Sequence, residues 1–295
     1  MQTNKIGKIF AWSLGFVLLW GLPSCTPNGY SSPQEQIRPS KQAIINQLIS
    51  ANLIYLAESH NSQADHQAQL EIISQLYSQN TKIAIGMEMF QRPFQQFLDQ
   101  YLAGEISEEE LREKSEYDQR WGFDWELYAP ILRFAKAHNL PVLALNTPSE
   151  ITRQVARNGL ESLSEEQLQY IPPPAEIRTD NQDYRQMIKS VFEQHAHGGH
   201  GNSESFERFF TAQVLWDETM AERVAQFYRA NPDYQVVVLA GKGHVIYDYG
   251  IPSRVNRRLG DDVSQASVWL GEFNSAGFTG TGKPVDYVWD HSEVE

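Results

Sequence analysis

Four short apolar segments, each ending abruptly in a polar residue able to do chemistry, constrain this chain more than any other feature. Leu53–Ala57 runs into Glu58-Ser59-His60, Lys82–Met87 into Glu88, Pro141–Leu145 into Asn146, and Gln235–Ala240 into Gly241-Lys242-Gly243-His244. Continuous apolar runs of this length, separated by helix-length segments, read as buried parallel strands with helices on both faces. The expected fold is a single α/β domain over residues 40–295, built on a central, mainly parallel sheet. In open sheets of that kind the ligand cleft lies outside the C-terminal ends of the strands. Glu58, His60, Glu88, Asn146 and His244 would then meet on one rim.

The segments between the strands support this reading. Ser40 is a natural N-cap for a helix over 41–51, and the spacing of Leu70, Ile73 and Leu76 predicts a helix over about 63–78. A charged, exposed helix is expected over 106–117 and a long one over about 203–230. Pro172-Pro173-Pro174 places a surface loop between 160 and 180, Ser267–Leu270 reads as a last strand, and the Gly-rich tail from Asn274 reads as irregular. Repeats and a second domain are not expected.

The N-terminus reads as an export signal. Lys5 and Lys8 precede an apolar stretch from Ile9 to Leu22, shorter than the ~20 residues that span a bilayer. Leu22-Pro23-Ser24-Cys25 follows, and Cys25 is the only cysteine in the chain. The pattern resembles a bacterial lipoprotein signal over 1–24, with Cys25 carrying the lipid and 25–39 a flexible tether rich in Pro, Ser, Gln and Asn. That implies export and anchoring to a bacterial membrane. Thr26 after the cysteine favours the outer membrane, facing the periplasm or the surface. A formal charge of −13 with no Lys/Arg tract speaks against nucleic acid as a partner.

Two Glu and two His at matching strand ends have the right types for a metal site or for general acid–base work, so a divalent metal stays open. Metal spacing is poor: H-E-x-x-H does not occur, and His60 and His66 would lie roughly 240° apart around a helix. Gly241-Lys242-Gly243-His244 is neither a Walker A nor a dinucleotide loop; its glycines would allow a sharp turn and close approach of a ligand. Gln213 and Asp217 fall on the apolar stripe of the long helix, where they either tie down loop backbone or face the cleft. Arg92 and Arg178 could pair with carboxylates of a ligand. His195, His197 and His200 form a His/Gly tract able to pick up metal ions, or simply an exposed loop. Tyr247 and Tyr249 add phenols near the rim, and phenolate and imidazole are both known haem ligands.

Taken together, Glu58-Ser59-His60 with His66 and Gln69, Gly86-Met87-Glu88-Met89-Phe90-Gln91-Arg92-Pro93, Trp121…Trp125…Tyr128, Leu145-Asn146, Gln213…Trp216-Asp217 and Ala240-Gly241-Lys242-Gly243-His244 resemble the ChaN-like haem-binding lipoproteins of bacteria. The resemblance runs in order from about residue 53 to 258. It implies an α/β fold, haem held non-covalently, and homodimers enclosing stacked haems in some members. On this reading His60, Glu88, Arg92, Asn146, Gln213, Asp217, His244, Tyr247 and Tyr249 are the candidate haem-binding residues. The wider superfamily includes erythromycin esterases and the Tiki/TraB group. It therefore implies an alternative, a hydrolase using Glu58, His60, Glu88 and His244.

Overall fold

The computed structural model describes residues 39–195, 203–274 and 278–291. Strands β1 (Leu53–Glu58), β2 (Ile83–Gln91), β3 (Val142–Asn146), β4 (Gln235–Gly241), β5 (Gln265–Leu270) and β6 (Tyr287–Trp289) form one sheet in the order β3-β2-β4-β1-β5-β6. Every neighbouring pair runs parallel. All residues of β1 to β4 are buried, as expected for strands covered on both faces.

The strands divide their side chains between two cores. Ile54, Leu56, Ile85, Met87 and Leu239 face one side. There they meet α1 (Lys41–Leu48), α2 (Gln63–Gln79), α3 (Gln95–Leu102), α4 (Glu108–Lys114), α5 (Tyr117–Arg120) and α6 (Trp125–Ala137). Along the chain after β3 come α7 (Ser149–Asn158), α8 (Glu165–Leu168), α9 (Gln182–His195), α10 (Ser203–Ala230) and α11 (Ile251–Leu259). Leu53, Tyr55, Ala57, Val236, Val238 and Ala240 face the other side, under α10 and α11. A third cluster, rich in aromatic residues, joins α9, the first half of α10 and the segment after β4.

Two expectations need correction. The charged helix over 106–117 is broken: α4 stops at Lys114, and Glu116 takes a left-handed conformation (φ 52°) before α5. Leu111 and Tyr117 are both buried, yet six residues turn a straight helix by about 600°, which would put them on different faces. The break rotates Tyr117 inward. The tail beyond Asn274 is also not wholly irregular, because β6 adds a sixth strand whose Trp289 is buried at 1% exposure. The Pro-rich segment is a surface connection of short helical turns, with Ile171 packed near Ala212 and Leu215 of α10. Cys25, the expected signal and nearly all of the tether lie outside the described residues. Among the described residues no helix is long and apolar enough to cross a membrane.

Candidate functional site

The register of the sheet brings three strand ends together. Glu58 closes β1 opposite Gly241 of β4, and Glu88 lies on β2, next to β4 on its other side. Glu58, buried at 1%, accepts three side-chain hydrogen bonds: from His60 Nδ1 (2.9 Å), Tyr128 Oη (2.6 Å) and Gln69 Nε2 (2.6 Å). Glu88, equally buried, accepts from the Gly241 N–H at 2.7 Å and lies 3.4 Å from His244 Nε2. His244 in turn donates through Nδ1 to Asp217 Oδ1 at 2.6 Å. The result is a chain of alternating groups, Glu58–His60, then Glu88, then His244–Asp217. Three buried carboxyl groups stand against two imidazoles, of which His60 is partly exposed.

The electrostatics follow from that alternation. Burial pulls the His244 imidazole down, but Glu88 and Asp217 outweigh it and raise the pKa to about 10. Burial would raise Glu88, yet the charge and hydrogen bond of His244, the charge of His60 and the Gly241 N–H lower it to about 2. His60 is pulled down by burial and by His244, but its bond to Glu58 and the charges of Glu88 and Glu58 lift it above the ordinary histidine value. Glu88 is thus the shared counter-charge of both imidazoles.

Several supporting residues take roles that the sequence reading does not assign to them. Tyr128 comes from α6 and holds Glu58 in place; burial and the Glu58 charge push its phenol pKa well up, so it remains a donor. Ser62 caps α2 by accepting the Asp65 N–H, and the helix it starts presents His66 and Gln69 to β1. His66 bridges the Gln69 amide oxygen and the His60 carbonyl, each at 3.0 Å. Tyr184 of α9 donates to Asp217 Oδ2 at 2.6 Å and accepts from Gln213 at 3.3 Å. Gln213 and Asp217 therefore do face the rim. Trp216 donates to Asn146, whose amide donates to the Glu88 carbonyl at 2.7 Å, so Asn146 steadies β2 and does not touch the imidazoles. The Lys242 ammonium is pulled below its ordinary range by burial. It donates to Ser59 at 2.8 Å and lies 3.4 Å from Asp65.

Gly241 does not provide a sharp turn. Its backbone is extended (φ −60°, ψ 147°), and the need for glycine is spatial: a Cβ there would sit 2.8 Å from His60 Cε1 and 3.0 Å from Nε2. The close approach seen here is that of the His60 ring.

Other expected residues are placed elsewhere. Arg92 does not reach the imidazoles, because its guanidinium donates to Glu222 (2.7 Å) and to the Thr219 carbonyl; a charge buried to that degree must be paired. Tyr249 is buried, with its hydroxyl tied to Thr281 and near Asp183, so it supports the loop. Tyr247 is half-buried, stacks on Tyr249 at 5.5 Å, and has no hydrogen bond to its phenol oxygen among the described residues. It also adopts φ 57°, a strained choice for a tyrosine. His195 ends α9, while His197 and His200 lie outside the described residues. No group of three or more His, Cys, Asp or Glu side chains suited to hold a metal occurs among the described residues. A divalent ion is therefore not supported here: the strand-end carboxylates are already spent on imidazoles, phenol, amide and backbone.

Haem asks for a flat apolar wall and an axial donor. Tyr247 belongs to the third core cluster together with half-buried Phe209, Phe273 and Phe278, and Phe278 lies 3.6 Å from where a Cβ on Gly243 would stand. A phenol with no hydrogen bond among the described residues, set beside an aromatic wall, has the chemistry of a haem-iron ligand. The haem-binding uptake family of the Tiki superfamily, ChaN, matches residues 44–255. The chain belongs to this family. Its fold is similar to that of ChaN of Campylobacter jejuni, a structure described as showing cofacial haem binding. The TM-score is 0.64 at 21% identity, over 84% of this chain and 91% of that one. It is more distantly similar to an erythromycin esterase, EreC, in an open conformation (TM-score 0.45, 16% identity, 82% of this chain and 78% of that one). The chloroplastic Protein RETICULATA-RELATED 5 of Arabidopsis thaliana is 24% identical over 235 residues, 74% of this chain. This chain spans about a third (31%) of that curated relative's length.

Proposed function

We propose that this protein binds haem non-covalently over the loop after β4, with the Tyr247 phenolate as the group that would hold the iron. The observation that carries this is the Tyr247 side chain: strained backbone, stacked ring, a phenol oxygen without a hydrogen bond among the described residues, and phenylalanines on the same wall. When bound, haem would supply a ferric centre to that oxygen. The protein's own contribution is to hold the ring by stacking on Tyr249 and to keep protons nearby on His60 and His244. We further propose that Cys25 carries a lipid anchoring the domain to a bacterial membrane, the outer one favoured. The role would be haem or iron acquisition, with a homodimer forming around bound haem.

Haemin titrated into the protein expressed from residue 26 should give a saturable Soret shift. Tyr247→Phe should weaken it and change the band position, and native mass should show the holo dimer. A wild-type spectrum that never saturates, or one indifferent to Tyr247→Phe, sinks the assignment.

A second reading is favoured by one specific observation, the two carboxylate–imidazole pairs meeting at Glu88. Such pairs suit general acid–base hydrolysis, with His60 or His244 as base. Screening ester and peptide substrates tests it; Glu58→Ala and His244→Ala variants as active as the parent would exclude it.

A further inference from the structure

We propose a second ligand site, for a phosphate-bearing anion, in the arginine-lined pocket between α10, α11 and the 176–178 segment. The pocket encloses about 380 Å³ and is lined by Arg178, Arg229, Arg257 and Arg258 against Glu176 and Glu222. Behind the lining, Glu218 is fully buried and is shared among Arg257 (2.7 and 2.9 Å), Arg258 (2.6 Å) and Arg254 (3.5 Å). Glu222 is taken by Arg92 at 2.7 Å. Six guanidinium groups thus face three carboxylates, a local excess of three positive charges in a chain whose net charge is −13.

That excess is not neutralised from within. The guanidinium groups of Arg178 and Arg229 pair with no carboxylate among the described residues; Arg178 meets Glu218 only through its backbone N–H (3.3 Å), and Arg229 donates to the Arg258 carbonyl. Behind the lining, Arg92 Nε has no hydrogen-bond acceptor among the described residues, and Arg254 Nε has only its 3.5 Å ion pair with Glu218. Clustering cations at this density is unfavourable unless an anion shares the space. A phosphate ester or pyrophosphate packs two or three negative charges into a volume this pocket can hold, and its oxygens match the guanidinium fork. Glu176 and Glu222 oppose the anion but are each drawn toward an arginine, at 3.5 Å from Arg258 and 2.7 Å from Arg92. Gln226 adds a neutral amide.

The site is separate from the haem reading, since none of its residues touches Tyr247 or the imidazoles. Calorimetric titration of the full chain in a non-ionic detergent tests it, with inorganic pyrophosphate as one titrant. Dihexanoyl phosphatidic acid, below its micellar concentration, is the other. Heat with pyrophosphate assigns a free phosphate ligand; heat with the lipid alone assigns a phosphomonoester head group. In the Arg178→Ala/Arg229→Ala variant, which alters only exposed side chains, affinity should fall by about tenfold or more. The melting temperature and the haemin spectrum should stay as in the parent. Absence of binding by both titrants, or equal affinity in the double variant, overturns the proposal.

Discussion

Replacing Glu88 by Gln keeps the side-chain volume and an acceptor for the Gly241 N–H, but removes the charge that His60 and His244 share. The lift of His244 from 6.5 to about 10 corresponds to at most about 5 kcal/mol of differential interaction. Asp217 at 2.6 Å keeps part of that, so the loss should be about 2–4 kcal/mol, comparable to breaking other buried ion pairs. The pH dependence has a definite sign. His244 binds its proton more tightly folded than unfolded, so its stabilisation is full below about pH 6.5 and fades as pH rises through 10. Glu88 is lowered from 4.5 to about 2, so its share is full above pH 4.5 and fades as pH falls through 2. Wild-type stability from this cluster should therefore peak between pH 4.5 and 6.5. Glu88→Gln should flatten both flanks and lower the melting temperature by roughly 5–15 °C near pH 6. Histidine Cε1–H NMR titration, with thermal melts across pH, measures both. A His244 still titrating near 10 in the variant, or an unchanged melting profile, would refute the shared-charge account.

Other outcomes follow from the packing. Gly241→Ala should force the His60 ring off Glu58, costing about 1–3 kcal/mol by urea denaturation and returning the His60 pKa toward 6.5. Gly250→Ala should be worse, because its Cβ would lie 2.1 Å from the His244 carbonyl oxygen, backbone that cannot swing away; the urea midpoint should fall below that of Gly241→Ala. Trp289→Ala should cost about 3–5 kcal/mol in the same assay, since it caps the first core from the short last strand. Glu218→Gln should lower the melting temperature by an amount corresponding to about 3–5 kcal/mol, because three guanidinium groups lose their common partner.

The sheet was legible because strands buried on both faces leave continuous aliphatic runs, and each run stops where the core stops. For the same reason Glu58, Glu88 and His244 could be read as rim residues before their geometry was known. The strand of Tyr287–Trp289 was not legible: three residues after a Gly-rich stretch carry no period, and only the edge of β5 defines them. The roles of Tyr128, Gln69 and Tyr184 were not legible, because their polar ends meet carboxylates 70, 11 and 33 positions away. The fate of Arg92 was equally hidden, since its partner Glu222 is 130 positions distant. The glycine of Gly241 was recognised as necessary but for the wrong neighbour, because nothing in the local sequence says that His60 arrives there.

Asp217 and Glu218 are consecutive residues of α10, yet one is fastened to His244 and the other to three arginines. Arg254 lies over the ring of Tyr184, which grips Asp217. A helix pinned on two sides by adjacent residues cannot roll to relieve one attachment without straining the other. The rotation of α10 about its own axis is therefore fixed at this point from two opposite attachments one peptide unit apart.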